Sequence, residues 1–180
     1  MSLHDELLAT ARRLVAGAAL PPTDADVRRA ISTAYYALFH RLIDAAVAHL
    51  LPTHSDDQRA AIARVFEHIK IRAVCGRVVE LALHPNSTSG AILSLVRVLG
   101  PVVPDELRRV AVALTSLYQR RQEADYDRNP VHNPITLASA QTAVGQVDSA
   151  FADWVALEAA NRSIAQAFLV LLLTGEPKSR

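Results

Sequence analysis

Val27, Ile31, Ala34, Leu38, Leu42 and Ala45 recur at steps of three and four residues, the repeat that lines one face of an α-helix. The same spacing returns through most of the chain, and no run alternates apolar and polar side chains as a half-buried strand would. That pattern restricts the fold to the all-α class. With 180 residues, 51% of them hydrophobic, the chain can bury one substantial core, so a single domain over residues 1–180 is expected.

Start and stop signals divide the pattern. "SLHD" at residues 2–5 reads as a capping box opening a first helix that stops before Pro21 and Pro22. Thr23 or Asp24 caps a long second helix that runs to Pro52. Ser55 caps a third, whose apolar stripe passes through Ile62, Phe66, Ile69 and Ala73 to Leu83 before "HPNSTSG" breaks it. After the short apolar segment "AILSLVRVLG", Pro104 occupies a helix first turn, with Asp105 and Glu106 where the helix dipole favours acids. Thr136 caps a fifth helix carrying Leu137, Val144, Val147, Phe151 and Trp154, and an extension past Asn161 to Leu173 is left open.

Bulk properties exclude several classes of function. The formal charge of +1 gives no blanket attraction to nucleic acid, although local basic patches remain open. Seventeen of the nineteen basic residues are Arg, which suits bidentate phosphate contacts but equally follows from a codon bias that also enriches Ala. The single Cys75 rules out an intramolecular disulfide, and the spacing of Cys and His offers no zinc ligand set, so neither metal nor cofactor is expected. The N-terminus carries acids and no apolar signal core, and "AFLVLLL" is too short to span a bilayer. A soluble protein of the reducing cytoplasm is expected, with no membrane partner. The nearly uniform apolarity of residues 164–173 points to a homodimer.

Against this background "RRQEADYDRNPVH" at residues 120–132 stands out as a dense charged stretch. Leu107, Val110, Leu114 and Leu117 form the stripe of the fourth helix, and its next two positions are Arg121 and Asp125. The apolar face therefore ends in an ion pair across one turn. The helix dipole favours Arg near a C-terminus but not Asp, so emergence into solvent accounts for Arg121 and leaves Asp125 unexplained. On the second helix Arg29, Thr33, Tyr36 and His40 share a face, either as an RNA groove or as an ordinary solvated surface.

"VRRAISTAYYALFHRL" at residues 27–42, followed downstream by "RQEADYD" at 121–127, resembles the bacterial HEPN domain, the higher eukaryotes and prokaryotes nucleotide-binding family. The intervening "THSDDQRAAIARVFEHI" is similar to that family's middle helix, and the resemblance covers roughly residues 24–155. It implies an antiparallel helical bundle, here of about five to six helices, usually homodimeric and often paired with a small nucleotidyltransferase in toxin and antitoxin systems. It also implies, for many members, RNA cleavage without a metal. Active members carry an Arg with four to six residues between it and a His. Here "RNPVH" places three residues between Arg128 and His132, a departure from the pattern.

Metal-free RNA cleavage uses the substrate's own 2′-hydroxyl, so the protein must move protons and stabilise phosphoryl charge. In that chemistry a neutral His132 accepts the hydroxyl proton, Arg121 or Arg128 binds the phosphate bidentately and Asp125 orients the Arg. Tyr126 either donates a hydrogen bond or stacks on a base, or is an ordinary amphipathic helix-end residue, and His132 is either catalytic or a plain loop residue. The expected function is a metal-independent endoribonuclease or toxin-like module. A non-catalytic HEPN module binding nucleotide, RNA or a nucleotidyltransferase is the first alternative, and a helical dimerisation scaffold the second.

Overall fold

The computed structural model describes residues 2–17, 21–127 and 134–175. Among the described residues the chain forms eight α-helices and no strand, in the order α1 (Leu3–Ala16), α2 (Asp24–Leu50), α3 (Asp56–Ala63), α4 (His68–Leu83), α5 (Gly90–Leu99), α6 (Asp105–Tyr126), α7 (Leu137–Ala160) and α8 (Arg162–Thr174). The all-α class follows the periodicity, while the number of helices exceeds the five to six expected because two of the anticipated helices are interrupted.

Side-chain caps set most of the starts. The Thr23 hydroxyl accepts from the Asp26 amide at 3.2 Å, and the Thr23 amide donates to the Asp26 carboxylate at 2.9 Å. Ser55 and Gln58 make the same reciprocal pair at the start of α3, and Thr136 accepts from the Ser139 amide at 3.1 Å before α7. Each of these bonds satisfies an amide that the first helical turn leaves without a carbonyl. Gly17 ends α1 at φ 57°, a left-handed conformation that a side chain would strain.

The third expected helix is two. Val65 and Phe66 donate back to Ile62 and Ala63, a tightened turn that closes α3, and Glu67 is extended at φ −111° and ψ 129° before α4 begins. The break resets the helical phase. The buried face of α4 is Ile71, Val74, Cys75, Val78 and Leu81, whereas Ile69, Ala73 and Leu83 of the anticipated stripe are exposed. Likewise Asn161, at φ −136° and ψ 52°, separates α7 from α8, so the apolar run does not continue one helix.

The chain divides into two compact units. One comprises Met1–Arg41 and Ala113–Phe151. Within it, α2 is buried nearly all round from Ala30 to Phe39, with Tyr36 the half-buried exception. Tyr35 is fully buried and meets Tyr36, Phe39 and Tyr118 at ring separations of 5.3, 6.0 and 5.8 Å. An Arg12–Asp148 ion pair ties α1 to α7, and the buried His4 ring meets Phe151 edge-on.

The other unit comprises Leu42–Val112 and Ala152–Arg180. Its helices α4, α5 and α8 pack on one another, and Trp154 lies fully buried 6.1 Å from the Phe168 ring. Cys75 is fully buried there, and burial pushes its thiol well above the ordinary range.

Candidate functional site

In α6 the stripe positions Leu107, Val110, Leu114 and Leu117 are completely buried, and the next two are charged. Arg121 Nε lies 2.7 Å from Asp125 Oδ2, with the two side chains 17% and 26% exposed. The N–H bond does not point along this approach, so charge holds the pair more than an aligned hydrogen bond does. The ion pair expected at the end of the apolar face is therefore formed, and it is half-buried.

Three residues of α2, spaced by four, reach the last turn of α6. Tyr36 accepts from Arg121 Nη2 at 3.0 Å. Ser32, only 1% exposed, donates its hydroxyl to Asp125 Oδ1. Arg28 donates from Nη1 to the carbonyls of Ala124 at 3.1 Å and Asp127 at 2.7 Å, while its Nε binds Asp24 at 2.7 Å. A helix end leaves its final carbonyls without amide partners, and the Arg28 guanidinium supplies donors to two of them. The terminal turn of α6 is thus held at its cation, its carboxylate and its backbone by one edge of α2.

Aromatic rings complete the setting of Arg121. Its guanidinium carbon lies 5.5 Å from the Tyr36 ring centroid and 5.5 Å from that of Tyr126. Burial works to lower the Arg121 pKa, but Tyr36, Asp125 and Tyr126 outweigh it and the net shift is upward, so Arg121 is a fixed cation. Tyr126 itself is 69% exposed. Next to it opens a cleft of about 460 Å³ lined by Asp24, Arg28, Ala124, Asp125, Tyr126 and Asp127.

Arg121, Asp125, Tyr126 and Tyr36 are therefore brought together. His40 joins through Tyr36, with ring centroids 6.5 Å apart. Arg29 is exposed on α2, and Thr33, on the same anticipated face, is 7% exposed, so that face is not a continuous polar groove. Arg128 and His132 lie outside the described residues. Among the described residues no cluster of His, Cys, Asp and Glu is arranged to hold a metal ion. Within the rest of the charged stretch, Arg120 pairs with Glu123 at 2.8 Å, a local contact along α6.

Sequence reasoning missed Arg28 and Ser32. The signal was present: Arg28, Ser32, Tyr36 and His40 repeat at intervals of four, one position away from the Arg29 and Thr33 chosen for that face. No family model, curated protein or solved structure matches this chain. No helix among the described residues is long and apolar enough to cross a membrane.

Proposed function

We propose that this chain is a HEPN-type module that binds single-stranded RNA at the terminal turn of α6, with Arg121 contacting phosphate and Tyr126 stacking on a base. The observation that carries this reading is the meeting of two distant segments. Residues 27–42 and 121–127, which bear the family resemblance, are joined by Arg28, Ser32 and Tyr36 around a cation set against two tyrosine rings. An immobilised guanidinium beside an exposed aromatic ring suits a nucleotide, which offers a phosphate and a base face a few ångströms apart.

The catalytic form of this proposal is metal-independent cleavage, with His132 taking the 2′-hydroxyl proton and Arg121 or Arg128 stabilising the phosphoryl oxygens. Asp125 orients Arg121 in that scheme. The same proposal includes a cytoplasmic homodimer of the 19.5 kDa chain and a nucleotidyltransferase partner. The test is incubation with varied RNAs in the presence of a chelator. Cyclic phosphate ends, intact DNA of matching sequence, and loss of cutting in His132→Ala and Arg128→Ala are expected.

A second reading is a module that binds without cutting. It is favoured by the cleft itself, where Asp24, Asp125 and Asp127 face a single Arg28, a balance that suits a small ligand such as a single nucleotide better than the long polyanion that RNA cleavage requires. Retained RNA or nucleotide affinity with no cleavage would select it. Loss of neither binding nor cutting in Arg121→Lys would remove Arg121 from either function.

A further inference from the structure

Ser32 is a buried hydroxyl whose bond leads to the charged pair. It is 1% exposed in the first half of α2, and its Oγ donates to Asp125 Oδ1 while the other carboxylate oxygen, Oδ2, faces Arg121 Nε at 2.7 Å. An i, i+4 pair with Arg preceding the acid is the weaker orientation on a helix, and here the Nε contact is also misaligned. Left to itself the Asp125 carboxylate can turn about its side-chain bonds and release Arg121. The hydroxyl fixes one oxygen, which fixes the plane of the carboxylate and so the position of the other.

We infer that Ser32 is a positioning residue, holding Asp125 so that Arg121 stays between Asp125, the Tyr36 hydroxyl and the Tyr126 ring. The inference rests on the reading that Arg121 serves a ligand, because a purely structural pair gains little from such control. A hydroxyl suits the role because it donates along one direction to a carboxylate oxygen and is short enough to remain inside the helix interface. Arg28, one turn earlier, fixes the backbone of the same turn, so Ser32 is left to govern the side chains. Ordering the guanidinium before binding removes part of the entropy cost of binding a phosphate.

The experiment follows the Arg121 side chain directly. In proton–nitrogen spectra of the full chain, the Arg121 Nε–Hε signal is assigned by its loss in Arg121→Lys. Hε exchange with solvent should then become about tenfold faster in Ser32→Ala, with helicity unchanged. Ser32→Cys, which nearly keeps the size but weakens the donor, should also loosen Arg121. In an Asp125→Ala background, where no carboxylate remains to be held, Ser32→Ala should add nothing. Unchanged exchange in a folded Ser32→Ala, a Ser32→Cys signal as protected as wild type, or an added effect without Asp125 would each overturn the assignment. On the same proteins, affinity for a fluorescein-labelled single-stranded RNA should fall several-fold in Ser32→Ala. Absence of RNA binding by the unaltered protein would sink the RNA reading and leave the exchange test of Ser32 to be decided on its own.

Discussion

Arg109, near the start of α6, grips Asp153 of α7 through both Nε and Nη2, at 3.0, 3.0 and 2.8 Å, with the Arg side chain 46% exposed. Arg121, near the end of the same helix, meets Asp125 through a single misaligned approach but adds a tyrosine hydroxyl and two aromatic faces. The bidentate fork is what joins two helices in one register, since both its bonds specify the same partner. Its hydrogen bonds to Asp153 hold the Arg109 pKa up. The Arg121 arrangement spreads its contacts over three side chains and sets the guanidinium carbon 5.5 Å from two tyrosine rings, a geometry suited to recognition more than to joining helices. Two pairs of the same residue types thus divide into a clasp and a site.

The largest expected effect separates them by stability. Asp125→Ala leaves a half-buried cation without its carboxylate and Ser32 without its acceptor, which should cost about 2 kcal/mol in chemical unfolding. A loss below about 0.5 kcal/mol would class the pair with ordinary exposed ones and erase the contrast. Salt gives a smaller and sharper distinction. Raising the ionic strength from about 0.1 M to about 1 M should narrow the melting-temperature difference between wild type and Asp153→Asn, because Arg109 is open to solvent. The difference between wild type and Asp125→Ala should change less, and an equal response of both would break the comparison.

The smallest effect is a pH dependence far from either pair. Hydrogen bonds from the Thr23 hydroxyl and amide hold the Asp26 carboxyl below its ordinary value of 3.8. A depressed folded pKa contributes stability that is present above 3.8 and is lost as pH falls through the folded value. Thr23→Ala should therefore be less stable than wild type near neutrality, and the gap should narrow in acid. A gap independent of pH from neutrality down to pH 2 or so would show that the Thr23 cap acts only through the Asp26 amide.

Local signals were legible and relational ones were not. Thr23, Ser55 and Thr136 start helices because a cap and its helix lie within a few residues of each other. The step from Leu117 to Arg121 to Asp125 was readable for the same reason, since one helix carries all three. The stripe through Ile69 and Leu83 failed because a turn of four residues at Arg64–Glu67 shifts the phase, and no Gly or Pro marks it. Arg28 and Ser32 failed differently. Their partners lie 93 to 99 residues away, and helical spacing cannot say which of two neighbouring faces meets a distant turn. An offset of one residue turns a side chain by about 100° around the helix, enough to exchange a buried polar contact for solvent.

All four tyrosines, Tyr35, Tyr36, Tyr118 and Tyr126, fall in the unit that holds the candidate site, while the single Trp154 and single Cys75 fall in the other. The chain therefore carries its own optical and chemical labels, sorted by unit. Tyrosine absorbance follows one unit, and indole fluorescence together with the rate of thiol modification follows the second. Because the Cys75 thiol is sealed in the folded state, modification counts openings of its surroundings. A cysteine introduced on the surface would be the only one to take a dye promptly, so the protein accepts a single probe without first removing its own thiol.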